Sequence, residues 1–296
     1  MGNSLPQGIY PGLYVIATPI GNLSDTSERS LTVLRHSALV AAEDTRRTIK
    51  LLNYYSISAP LLSYREQNHN SAWPKVKKAL EEGSVVSLAS DAGTPIVSDP
   101  GARLIFEVRR QGLSVYPIPG PSAVTAALSV SGFGGGGFTF GGFLPPKGAS
   151  RKKYLESLKS LSHPLIFFET PHRLEESLAD LLEVLGPRRA FLAREMTKLH
   201  EEYLLLPLEE LLQEVTARPR KGEMTLVLEG FTKGRAPGPL EPQDKKSLAL
   251  AALSPYIDEI SKDTRPVKDI AREYAEKFHL AKSEVYSLIL MWRIGK

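Results

Sequence analysis

The chain has 296 residues, 42% of them hydrophobic and 24% charged, a formal net charge of +4 and no cysteine. That length exceeds one small core and predicts two to three domains, while the lack of cysteine excludes disulfides and thiolate metal sites and fits a reducing compartment. No apolar run approaches the roughly 20 residues of a bilayer crossing, so no membrane span is expected, and the modest positive charge leans towards anionic partners.

Residues 1–12 read as a flexible lead-in without the basic segment, apolar core and cleavage site of an export signal, which predicts a cytoplasmic protein. From Leu13 to Gly120 short β-branched or aromatic runs alternate with amphipathic stretches. Strands are predicted at 13–18, 39–42, 61–64, 85–89 and 114–118, and helices at 44–54 and 72–82. This alternation predicts an α/β domain over 13–120 with a parallel sheet covered on both faces. It resumes over 121–232, with strands at 138–143, 165–169, 190–194, 202–206 and 224–229 and helices at 151–161, 173–185 and 208–216. Two of these strands follow each other closely, so the second α/β domain is expected to hold some antiparallel pairing and a mixed sheet. Residues 233–243, with three Pro and two Gly, read as a linker. A small helical appendage is expected over 244–296, whose helix, "HLAKS", helix pattern suits either a helix-turn-helix or two simply packed helices.

In an open parallel sheet the carboxyl ends of the strands gather the ligand-binding loops. Four polar loops fall at such ends: "TPIGNLSD", "AEDTRR", "SDAGTPIVSDPG" and "PGPSA". None carries a G-x-G-x-x-G, and no G-x-x-x-x-G-K-[ST] occurs in the chain. Asp99-Pro100-Gly101 is expected to start a helix with Asp99 as cap and Pro100 in the first turn. Asp91 to Pro95 is neither a short turn nor a cap; Gly93 frees the backbone to approach a ligand. Asp91 suits a cation, and the helix start at Gly101 an anion, so a zwitterionic amino-acid moiety would satisfy both.

The remaining chemistry-bearing stretches admit two readings each. Ser122 either caps the following helix or turns its hydroxyl to a ligand. Glu43, Asp44, Arg46 and Arg47 line the mouth of the same crevice, where Asp44 either caps a helix or, like Glu43, moves a proton, and the arginines meet solvent or an anionic polymer. Glu169, His172 and Arg173 occupy a strand-to-helix turn in the second domain, and His172 is either a surface donor or a general base. Gly222-Glu223 opens a strand where backbone amides could meet a purine edge. Lys147, Arg151, Lys152 and Lys153 form a basic run that suits either a solvated helix start or RNA phosphates. No cluster of metal ligands is visible, and no metal is expected.

Taken together, "LYVIATPIGNLSD", "AAEDTRRT", "SLASDAGTPIVSDPG", "IPGPSA", "FFETPHRLEESL", "AREMTKLHEEYL" and "KGEMTLVLEG" resemble the bacterial 16S rRNA ribose 2'-O-methyltransferases, members of the tetrapyrrole-methylase-like, or class III, group that uses S-adenosylmethionine. The resemblance covers residues 13 to about 232 and implies two α/β domains with the cofactor between them, usually in a homodimer. It implies cofactor contacts at Pro19, Asp91, Ala92, Gly93, Thr94, Ser122, Ala123, Phe168, Glu169, Gly222, Glu223 and Met224. It further implies 16S rRNA or the small ribosomal subunit as partner and a cytidine ribose of the decoding region as acceptor. Proton removal would fall to Glu43 or Asp44, with His172 second, while Arg46 and Arg173 hold flanking phosphates. A small-tetrapyrrole methyltransferase and a non-catalytic RNA-binding assembly factor are the competing readings. One departure is the run "GFGGGGFTFGG", seven glycines in eleven residues, at a turn where relatives carry polar and proline residues.

Overall fold

The computed structural model describes residues 5–134 and 136–232 and, beyond them, 249–250, 253, 256–278 and 280–294. The expected linker at 233–243 lies outside the described residues.

The first half builds a five-stranded sheet from β1 (Gly12–Ile16), β2 (Leu39–Ala42), β3 (Leu61–Ser63), β4 (Val85–Ala89) and β5 (Val115–Ile118), in the order β3-β2-β4-β1-β5. Every pairing is parallel. The period of two along each strand sorts side chains to two cores. Tyr14, Ile16, Val40, Val85 and Ala89 pack with Val33 of α1 (Glu28–Arg35) and Leu52 of α2 (Thr45–Tyr54). Leu13, Ala41, Val86 and Leu88 face the opposite way, towards Val76 of α3 (His69–Glu81) and Leu104 of α4 (Ala102–Arg110). Burial on both faces explains why β4 reads as the continuous run VVSLA, without an exposed residue.

The second half is a mixed sheet of β6 (Thr139–Phe143), β7 (Leu165–Glu169), β8 (Arg189–Arg194), β9 (Glu202–Pro207) and β10 (Met224–Leu228), ordered β6-β7-β10-β8-β9. Only β6 and β7 are parallel; β10 runs antiparallel to both neighbours, and β8 to β9. One face packs on α6 (Gly148–Leu158), α7 (Leu174–Leu185) and α8 (Leu208–Ala217) through Leu155, Leu178, Leu211 and their neighbours. The other carries Ile166, Phe191 and Val227 against α5 (Ala123–Ser131), and Ile20 and Val97 from loops of the first sheet join this cluster. The two halves therefore share apolar packing below the point where their loops meet.

Among the described C-terminal residues, α9 (Ile257–Lys262), α10 (Val267–Phe278) and α11 (Lys282–Ile294) enclose their own cluster around Ile260, Tyr274 and Leu288. Only three residues separate α10 from α11, where the helix, turn, helix pattern was expected. No helix among the described residues is long and apolar enough to cross a membrane.

Candidate active site

The carboxyl ends of β1, β2, β4 and β5 open onto one side of the first sheet. The mixed topology of the second brings the ends of β6, β7 and β8 and the start of β10 to face them. Between the two rims lies a cavity of about 360 Å³. The first sheet supplies Ile20 after β1, Glu43 and Arg47 after β2, residues from Asp91 to Asp99 after β4, and Ser122 and Ala123 after β5. The second supplies Phe143, Phe168, Glu169, Met196, Gly222 and Met224. The volume lies within the range of about 300–1,000 Å³ that encloses a small ligand or cofactor.

The loop from Ser90 to Gly101 is held in an uncommon shape. Thr18 and Gly93 exchange two backbone hydrogen bonds of 2.9 Å, and the Thr94 hydroxyl donates to the Pro121 carbonyl at 3.1 Å. Ile96 and Ser98 sit at φ of 77° and 67° and Gly93 at 85°. Left-handed backbone is costly for a β-branched residue, and such positions collect where a loop must wrap something. Across the cavity Glu195 and Thr197 share this feature, at 50° and 67°. There Glu195 accepts the Glu223 N–H at 2.8 Å, and Lys198 bridges Glu195 and Glu223 at 2.8 and 3.0 Å. Gly222, at φ 98°, sits where any side chain is strained, and a Cβ there would stand 2.5 Å from the Glu195 side chain and displace it.

Glu43, Asp91 and Asp99 converge on one wall. The Asp91 N–H donates to Glu43 at 3.3 Å, and Asp91 accepts from the Asp44 N–H at 3.0 Å. Arg47 stands 3.4 Å from Asp91 and is mostly exposed. Burial and then the charge on Glu43 push the Asp99 carboxyl up to about 6. Three carboxylates of which, among the described residues, only Asp91 forms an ion pair, with Arg47, favour a cation between them. Much of the remaining lining is apolar, with Ile20, Val97, Phe168, Met196 and Met224, and Ala92, Gly93 and Ala123 add little bulk. Ser122 takes the N-cap position of α5, yet its side chain makes no capping bond and remains available to the cavity. A donor that joins a positive centre to a flat apolar ring fits these residues.

Several expected roles need correction. Asp99 does not cap α4: the cap is Gly101, at φ 133°, and its N–H donates to Glu66 at 2.9 Å. That bond also fills the expected anion site, because Glu66 already supplies the negative charge. Asp44 caps α2 through the Arg46 N–H and pairs with the Arg46 side chain at 2.6 Å; that bond holds its carboxyl well below the usual range. A carboxylate so committed is a poor base, and Asp44 does not line the cavity. His172 is exposed on the turn before α7, outside the lining. Arg151 is fully buried, its Nε 2.6 Å from Asp180 with Glu176 at 3.1 Å, and cannot reach RNA. Arg173 turns inward to the Leu144 carbonyl and lies 3.8 Å from Glu169, so it does not present a free fork to a phosphate.

Other expected residues keep an altered place. Glu169 reaches the lining with its carboxylate already committed to the Thr170 N–H and the Ser177 hydroxyl. The Glu223 N–H is taken by Glu195 and is not offered to a purine. Pro19 lines a neighbouring cavity instead. Arg46 is exposed, as are Lys147 and Lys153, while Lys152 binds Glu183 at 2.6 Å. Among the glycines of the 134–137 run that are described, none lines the cavity and none has a neighbour within 4 Å of a Cβ.

The profile of the tetrapyrrole (corrin/porphyrin) methylases matches residues 12–212, a span that contains the first sheet and β6 to β9 of the second and ends within α8. The chain belongs to that family. It is 47% identical over 218 residues to ribosomal RNA small subunit methyltransferase I of Thermotoga maritima, covering 74% of this chain and 98% of that protein. It is 41% identical over 283 residues to the protein of that name from Neisseria meningitidis serogroup A, covering 95% and 94%. Among solved structures, a cobalt precorrin-4 methyltransferase superposes with a TM-score of 0.53 at 15% identity, over 73% of this chain and 93% of that one. A uroporphyrin-III C-methyltransferase from Thermus thermophilus, complexed with S-adenosyl homocysteine, superposes at 0.52 and 15%, over 73% and 96%. At such identities these two tetrapyrrole-family structures speak for the shared fold.

Proposed function

We propose that this protein transfers a methyl group from S-adenosylmethionine to the 2'-hydroxyl of a cytidine ribose in small-subunit ribosomal RNA. The observation that carries the reading is an acid-lined, apolar-walled cavity at the shared rim of two sheets, in a chain 41% identical over nearly its whole length to a ribosomal RNA small subunit methyltransferase. Asp91, Gly93 and Ser122 would hold the amino-acid end of the donor, and Phe168, Met196 and Met224 its adenine. When bound, S-adenosylmethionine supplies an electrophilic methyl on a sulfonium.

The chain itself has two tasks. The first is to hold the acceptor oxygen in line with that methyl, which can supply most of the acceleration. The second is to accept the hydroxyl proton, worth roughly 10² to 10⁴-fold. Glu43 and Asp99 are the carboxylates of the cavity wall suited to it, and the raised pKa of Asp99 makes it the better-matched base near neutrality. Arg46, Arg47, Lys147 and Lys153 would meet the phosphates. The reading includes functional units at 13–120 and 121–232, a cytoplasmic location and a homodimer.

Incubation with radiolabelled donor and small subunits, followed by mass spectrometry of the rRNA, tests the reaction and the acceptor together. Label in RNA at a ribose 2'-oxygen is the expected result, and binding of donor with no transfer to RNA would overturn it. The pH profile of kcat/KM tests the base. Asp99→Asn should abolish a rising limb near pH 6, whereas Glu43→Gln should move that limb to lower pH by removing a like charge.

A further inference from the structure

A second cavity of about 270 Å³ lies beside the first and shares Arg47 and Asp91 with it as a common wall. Thr18, Thr48 and Ser90 form a buried, hydroxyl-bearing floor, and Leu23 and Leu51 are its apolar sides. The rim is one face of α2, since Arg47, Lys50, Leu51 and Tyr54 recur at helical spacing. Tyr54 is 64% exposed, a large aromatic left open to solvent. Its ring stands perpendicular to Tyr55 at 4.9 Å, and the Tyr55 hydroxyl donates to the Leu23 carbonyl, so the ring is braced from behind. Lys50 forms no ion pair among the described residues, and Arg47 has only the long contact with Asp91.

A braced aromatic, two under-used cations and an apolar wall over hydroxyls are the parts that bind one unstacked nucleotide: base on the ring, phosphate on the cations. We propose that this cavity is the subsite for the nucleotide adjoining the acceptor in single-stranded RNA. Tyr54 stacks its base, Lys50 and Arg47 hold its phosphate, and the wall they share with the donor cavity sets the acceptor ribose on the other side. The inference rests on the reading of the protein as an RNA methyltransferase.

The test uses the full chain with purified small-subunit rRNA, measuring RNA affinity across a salt series, steady-state methylation and donor binding by calorimetry. Tyr54→Ala should weaken RNA binding roughly five- to a hundred-fold, raise KM for RNA and leave donor affinity alone, and Tyr54→Phe should restore binding. Lys50→Ala should reduce the slope of log affinity against log salt by about 0.7, a change that Tyr54→Ala should not produce. Phe106→Ala, at an exposed aromatic of α4, serves as the control and should alter nothing. Wild-type methylation of RNA that Tyr54→Ala and Lys50→Ala leave untouched would overturn the subsite alone. A wild-type protein that neither binds nor methylates rRNA would overturn the functional reading and the subsite with it.

Discussion

Asp99 stands half-buried beside two other carboxylates, and its charge state governs what the cavity accepts. Its folded pKa of about 6 lies above the ordinary 3.8, so the folded protein holds that proton more tightly than the unfolded chain does. The contribution of this group to stability is therefore full below about pH 4 and is lost as pH rises through 6. Asp99→Asn should leave the melting temperature unchanged relative to wild type below pH 4 and raise it above pH 6, a comparison that a pH series of thermal melts makes directly. Binding of a cationic donor should run the other way, tightening as pH rises through 6 with proton release. Calorimetry in buffers of different ionisation enthalpy reads that release. Arg151 carries a second prediction at this scale. Its removal leaves the buried carboxylate of Asp180 only the 3.5 Å contact with Lys152, so Arg151→Ala should cost about 3 kcal/mol in urea unfolding and leave the salt dependence of RNA binding intact.

At the scale of elements, the loop between β8 and β9 and the start of β10 form a latch made of Glu195, Lys198 and Glu223. Gly222→Ala would push a methyl into Glu195 at a backbone angle that suits glycine, costing about 1–3 kcal/mol and weakening donor binding, which calorimetry measures. Most strands and helices were legible because their residues alternate or repeat with the period of the element. β4 reads as a strand from VVSLA alone, and α7 as a helix from the spacing of its leucines. Local patterns misled where one residue type serves two roles. Arg151 sits in a run of positive charge, yet it shares a helix face with Leu155 and Leu158, and that phase was the available sign that it points inward. Asp99-Pro100-Gly101 has the composition of a helix start, but the charge facing α4 comes from Glu66, 35 residues earlier in the chain, and no local pattern announces such a partner.

For the whole molecule, the cavity between the two rims draws its lining from both sheets, so a ligand held there should join their stabilities. S-adenosyl homocysteine at a hundred times its dissociation constant should add about 2.7 kcal/mol, and unfolding followed by fluorescence and by far-ultraviolet circular dichroism should then coincide. The four loops at the carboxyl ends of the first sheet were legible as a group, because the parallel alternation of strands and helices predicts where they gather. The small cavity along α2 was not, since it depends on how Pro19 and Leu23 fold back over a helix whose exposed face looks ordinary in sequence.

The place of β10 has a consequence for how the protein is made. It is the central strand of its sheet and the last strand of the described chain. The first sheet holds all its strands once Ile118 has emerged from the ribosome. Until Leu228 follows, β6 and β7 on one side and β8 and β9 on the other are two separate pairs, each marginal alone. The two pairs coexist from Pro207 to Leu228, and at about 5–20 residues per second that interval lasts on the order of a few seconds, during which the nascent chain exposes the open edges of β7 and β8 and an incomplete cavity wall.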